Sequence, residues 1–239
     1  LMNKKEKTRI FIIGFNKTAT RTIHYFFKNN GLPCLHWDNN YLVNHFEENL
    51  KKNLPLLGPQ KVFNTKVNSN CTYEEIIVVS DMTNPSLNKD AKDYYKILDK
   101  QYPGSKFILN YRDVNSWITS RIDHPGFSEK QLAYHKCSSL DELKEIWKKM
   151  YLSHINDCEK YFNGREIDFL KFNIDLDQPH KICNFLKDCY PYLEIKYWKF
   201  KGKTKDKNMI IILKSKIKKK IKNLYISLGL FLSFKKNKL

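Results

Sequence analysis

After Arg9, residues Ile10-Phe11-Ile12-Ile13 form an unbroken apolar run closed by Gly14. A strand with one wet face alternates apolar and polar residues. A run apolar at every position needs cover on both faces, as in a parallel sheet with helices above and below. The next residues, Phe15-Asn16-Lys17-Thr18-Ala19-Thr20-Arg21-Thr22, carry a lysine and three hydroxyls. They lead into a segment in which Ile23, Phe26 and Phe27 share a helical face and Asn29-Asn30-Gly31 gives a stop. A strand, a cationic turn and a helix in that order limit the chain to an α/β architecture with an anion-binding turn near its start. Unpaired N–H groups and the positive end of the dipole meet at a helix N-terminus.

The pattern continues. Strands are expected at 32–37, 76–80 (Ile76-Ile77-Val78-Val79-Ser80), 106–111 and 167–172. Helices are expected at 18–30, 41–52, 90–101, 114–122, 140–162 and 178–189, the last with Pro179 at its first turn. The stripe of the long helix is Leu143, Ile146, Trp147, Met150, Tyr151, His154 and Ile155. The expected fold is therefore α/β, a central parallel sheet flanked by helices with the phosphate loop after the first strand.

The charge separates body from tail. Net charge is +18, but 14 lysines against the single acid Asp206 place +13 in residues 199–239 and leave +5 for the rest. Residues 1–198 read as one α/β domain and 199–239 as a basic tail. A mildly basic body suits a small anionic ligand as well as it suits RNA, and nucleic acid is the less expected partner. Within 209–234, Ile210, Leu213, Ile217, Ile221, Leu224, Leu228 and Phe231 recur every three or four residues among lysines. That pattern suits an anionic membrane surface, or a helix docked on the protein's own core. The apolar run at Ile10–Phe15 is too short for a signal-peptide core, so the chain is read as cytoplasmic and, through its tail, membrane-associated. The six cysteines show no metal-ligand spacing and read as free thiols.

The turn at 14–22 is not the nucleoside triphosphatase loop, whose lysine comes late and follows a glycine. It resembles the 5′-phosphosulfate loop of sulfotransferases that use PAPS (3′-phosphoadenosine 5′-phosphosulfate), whose bacterial-type branch carries GFNKTGTTSL and, later, a strand ending His-Trp, like Leu35-His36-Trp37 here. Ala19 stands where the family has glycine, and Arg21 where it has a small hydroxyl residue. A second stretch, Pro103 to Arg121, resembles the family's 3′-phosphate strand and helix, with Arg112 at the strand end and Ser120 eight residues later. The resemblance extends loosely over residues 9–190.

It implies a sulfotransferase with PAPS as co-substrate and no metal. Asn16, Lys17, Thr18, Ala19, Thr20, Arg21 and Thr22 would bind the 5′-phosphosulfate, and Arg112 and Ser120 the 3′-phosphate. Lys17 would stabilise the leaving oxygen. Asp81, at a strand's C-terminal end, is the candidate base, with His36 next and His154 on an apolar stripe behind it. Lys66 and Trp37 are weaker candidates for substrate contact. The acceptor is expected to carry a hydroxyl or amine, on a glycan or a lipid. The alternatives are a membrane-associated anion-binding protein with weakened chemistry and a small-molecule kinase.

Overall fold

The computed structural model describes residues 8–63 and 71–200. Five strands form one sheet: β1 (Ile10–Ile12), β2 (Cys34–His36), β3 (Val78–Ser80), β4 (Lys106–Tyr111) and β5 (Phe169–Asn173). All neighbours are parallel, in the order β2-β3-β1-β4-β5. The helices are α1 (Thr20–Asn29), α2 (Tyr41–Lys51), α3 (Ala91–Gln101), α4 (Val114–Ile122), α5 (Phe127–His135), α6 (Leu140–Tyr161) and α7 (His180–Leu186). The expected parallel α/β sheet is the one observed.

The unbroken apolar run has a direct explanation in the packing. Ile10 and Ile12 point to one face of the sheet, where Ile23, Phe26 and Phe27 of α1 and Ile182 and Leu186 of α7 cover them. Phe11 and Ile13 point to the other, against Phe46 of α2, Tyr94 and Leu98 of α3 and Cys158 of α6. Every residue of β1 is therefore buried, whichever way it points. A third cluster joins Phe15 to Trp117 and Ile118 of α4 and Leu143, Trp147 and Tyr151 of α6.

The strand order decides where a ligand can bind. The chain leaves β1 for one side of the sheet, building β2 and then β3 beside β1, and crosses afterwards to β4 on the other side. The loops after β1, β3 and β4 diverge at the C-terminal edge and leave a crevice there, the usual ligand position in open parallel sheets.

Two elements differ from expectation. Helix α5 was not anticipated; Phe127, Leu132 and Tyr134 form no stripe, and only Gln131 is fully buried. The helix expected at 178–189 ends at Leu186, with Tyr190 turned back to donate its N–H to the Leu186 carbonyl at 2.7 Å. Lys66 and the tail stripe of 209–234 lie outside the described residues.

Candidate active site

The first strand ends where Ile13 donates its N–H to the Ile108 carbonyl at 2.9 Å. The following loop is built around a side chain from the neighbouring strand, Asn110 of β4. Its Oδ1 accepts from the Gly14 N–H at 2.8 Å, and its Nδ2 donates to the Thr18 carbonyl and the Thr18 hydroxyl, both at 2.7 Å. The Thr18 hydroxyl donates in turn to the Phe15 carbonyl. Gly14 is required here, since a Cβ would come within 1.9 Å of the Asn110 carbonyl oxygen. Trp117 of α4 donates its indole N–H to the Asn16 carbonyl at 2.9 Å, and Arg121 donates to the Asn16 Oδ1 at 3.3 Å. His154 donates from Nε2 to the Ile13 carbonyl at 2.7 Å and stands edge-on to Phe15. That bond and its full burial make His154 a brace for the strand end.

Lys17 and Ala19 both adopt left-handed backbone conformations, with φ of 66° and 60°. For alanine this region costs roughly 1–2 kcal/mol, which glycine would not incur. Ala19 is the residue preceding α1 and offers no side-chain acceptor, so no side chain caps this helix start. The turn thus presents a helix N-terminus, with Lys17 in the same turn, an arrangement of the kind that can hold an anion. Thr18 is wholly buried and its hydroxyl is used inside the loop. Thr20 and Thr22 are buried on α1, and Arg21 is exposed.

Arg112 follows β4 directly. The Tyr151 hydroxyl accepts from its N–H at 2.8 Å and donates to its carbonyl at 3.0 Å, which anchors the backbone to α6. The guanidinium forms a two-pronged pair with Asp175, at 3.2 Å from Nε and 3.1 Å from Nη2. Ser120 sits half-buried on α4, whose first turn is capped by Asp113 through the Ser116 N–H at 2.8 Å. Because β1 and β4 are neighbours, with Ile12 beside Ile108, the lysine loop and Arg112 share the C-terminal edge of the sheet.

Strands β2 and β3 deliver two more groups to that edge. His36 ends β2 and Asp81 follows β3, the latter in a left-handed conformation with φ of 55°. The His36 Nε2 lies 3.4 Å from the Asp81 carboxylate and 3.2 Å from the Thr20 hydroxyl. Burial lowers the His36 pKa, against the nearby Asp81 carboxylate, which raises it; Arg21 lowers it further. The ring is therefore neutral near pH 7 and can donate one N–H while accepting a proton on its other nitrogen. The other Asp81 oxygen accepts from the Thr83 hydroxyl at 3.0 Å. Trp37 is partly exposed beside this pair and donates to the Asn40 side chain at 2.8 Å.

The expected groups Asn16, Lys17, Ala19, Thr20, Arg21, Thr22, Arg112, His36 and Asp81 thus gather at one edge, with the Thr18 hydroxyl directed into the loop itself. Sequence reasoning missed Asn110, Trp117, Arg121 and Tyr151 as shapers of the site. Asn110 carried a readable signal, an amide inside the otherwise apolar Phe107-Ile108-Leu109 strand. Trp117 and Arg121 carried none, since their partners lie 101 and 105 residues away.

No curated protein matches the chain. Residues 9–169 match the family model described as the sulfotransferase domain, a span that starts at the first strand and ends at the last. With two thirds of its length inside that match and the parallel sheet in place, the chain belongs to the sulfotransferase family.

Proposed function

We propose that the protein transfers a sulfuryl group from PAPS to a hydroxyl or amine acceptor at the C-terminal edge of its sheet. The observation that carries this reading is the shared edge: the lysine loop after β1 and Arg112 after β4 stand on adjacent strands, as a ligand phosphorylated at two places requires. The 5′-phosphosulfate would lie at the start of α1, beside the backbone N–H groups of the turn, with Lys17 of the same turn supplying a positive charge. The 3′-phosphate fits the Arg112 guanidinium, whose planar fork matches a phosphate edge, with Ser120 as a second donor.

In the transfer, the acceptor oxygen or nitrogen attacks sulfur in line. The bond from sulfur to the bridging phosphate oxygen breaks, and that oxygen leaves with the electron pair as part of PAP (3′-phosphoadenosine 5′-phosphate). Lys17 offsets the charge that gathers there; as in phosphoryl transfer, positioning and electrostatics dominate. The acceptor proton passes to Asp81, with His36 holding the carboxylate in place or taking the proton through its neutral ring.

Ala19 supports a second reading. Its left-handed backbone is strained where the resembled family has glycine. A protein that binds the nucleotide and no longer transfers would carry the same features.

Calorimetric titration with PAP, and separately with ATP and magnesium, tests both. We expect PAP to bind, ATP to bind at least about tenfold more weakly, and Lys17→Ala to abolish transfer from labelled PAPS. A preference for ATP would end the proposal; PAP binding with no transfer to any hydroxyl or amine acceptor would select the second reading.

A further inference from the structure

Arg121 is 5% exposed, and its charge has no carboxylate within ion-pair distance among the described residues. Its guanidinium lies over the rings of Trp147 at 4.3 Å, Trp117 at 4.6 Å and Phe127 at 4.8 Å. Two long hydrogen bonds reach neutral amides, Asn16 at 3.3 Å and Gln131 at 3.4 Å. Among the described residues the Nε–H has no hydrogen-bond partner. Aromatic faces offset part of the cost of burying a cation. They do not replace an anion, and burial pulls the Arg121 pKa down to about 9, the Asp90 charge opposing.

This side chain lines a shallow, solvent-open recess, together with Asn16, Lys89, Asp90, Phe127 and Gln131. The cleft runs from Asn16, in the loop after β1, to Thr83, Pro85 and Asn88, in the segment after Asp81. Its other charges are already engaged. Asp90 accepts from the Lys92 N–H at 3.1 Å at the start of α3 and stands 3.4 Å from the Lys92 ammonium. Lys89 is 3.7 Å from Glu47. Of the three charged residues lining the cleft, Arg121 alone has only neutral partners.

We propose that this cleft binds an anionic group, a carboxylate or a phosphate ester carried by the acceptor, through the Arg121 guanidinium with Lys89 at its rim. The acceptor class is then an acidic hydroxyl compound, such as an acidic sugar. Its anion sits beside Asn16 while its hydroxyl reaches toward Lys17 and Asp81. The assignment of the anion to an acceptor rests on the sulfuryl-transfer reading; the anion site itself does not.

The test uses the full chain saturated with PAP and titrates glucuronate, glucose 6-phosphate and neutral glucose, with binding followed by NMR of the arginine Nε–H groups. At least one charged sugar is expected to bind about tenfold or more tighter than glucose and to move the Arg121 Nε–H resonance. Arg121→Gln, which keeps amide donors for Asn16, should remove the preference, and Lys89→Gln should reduce it about threefold. Equal binding of all three sugars, or a preference that survives Arg121→Gln, overturns the proposal. Should Arg121→Gln fail to fold, the wild-type resonance decides: movement with a charged sugar and none with glucose supports the site, and the reverse removes it. If PAP itself fails to bind while the charged-sugar preference persists, the donor reading falls and the anion site stands.

Discussion

Asn110 determines the shape of the loop after β1 although it lies 92 residues from Thr18. One amide accepts from Gly14 and donates twice to Thr18, so it joins both ends of the turn to β4. Truncation to alanine would leave the Gly14 N–H and the Thr18 carbonyl buried without partners. Groups of that kind cost about 1–3 kcal/mol each. We therefore expect Asn110→Ala to lower stability by about 3 kcal/mol in urea denaturation and to weaken PAP binding along with it. A loss below about 0.5 kcal/mol would mean that the loop holds its shape by other means. His24 supplies a second residue-level prediction, through pH. Burial, and after it the charges of His36, Lys28 and Arg21, pull its pKa from 6.5 down to about 3. Below pH 6.5 the unfolded chain takes up a proton that the folded protein refuses until about pH 3. Stability therefore falls as pH drops through that window, by up to about 1.4 kcal/mol per pH unit from this group. His24→Phe removes the term and keeps the ring volume. Between pH 7 and pH 5 the variant should lose about 2 kcal/mol less than the wild type, as read from urea midpoints at each pH. Parallel pH profiles would show that His24 titrates alike in both states.

Between elements, the pair to probe joins the end of β4 to the turn after β5. Arg112 and Asp175 are both partly exposed, at 24% and 42% of their side-chain surface, so the pair adds little to stability. Its effect on a ligand is larger in expectation, because a phosphate arriving at Arg112 meets the Asp175 carboxylate. Asp175→Asn removes that repulsion and should tighten PAP binding about fivefold, near 1 kcal/mol, with stability unchanged within about 0.5 kcal/mol. Arg112→Ala should weaken PAP binding, and in the double variant the gain from Asp175→Asn should vanish. A gain that persists without Arg112 would place the 3′-phosphate elsewhere. The element scale also shows what a sequence can carry. Strands β1 and β4 were legible because burial on both faces forces an apolar run, and α6 because 22 residues repeat one stripe. Helix α5 was illegible because it buries almost nothing of its own. The loop at 14–22 was legible as a contiguous motif. The approach of His36 to Asp81 was not, since it depends on β3 settling beside β2 across 41 intervening residues, a matter of strand order that no local pattern encodes.

At the scale of the whole chain the charge is the feature left to place. The body of residues 1–198 carries +5 of the +18, a modest excess that suits the doubly phosphorylated nucleotide proposed above. The remaining +13 belongs to residues 199–239, where an apolar residue every three or four positions accompanies the lysines. Electrostatic attraction to an anionic bilayer is worth about 1 kcal/mol per basic residue near the surface and is screened by salt, whereas burial of the apolar stripe is not. The two contributions can therefore be separated. The full chain should sediment with vesicles containing phosphatidylserine and only weakly with neutral phosphatidylcholine, and raised salt should remove much of the binding. A chain ending at Lys201, the limit of the compact unit that holds the sheet, should lose vesicle binding and keep its PAP affinity. If the shortened chain still sediments with anionic vesicles, the attraction belongs to the body. If it loses PAP binding as well, the stripe is needed by the domain, and the tail is a structural helix of the enzyme.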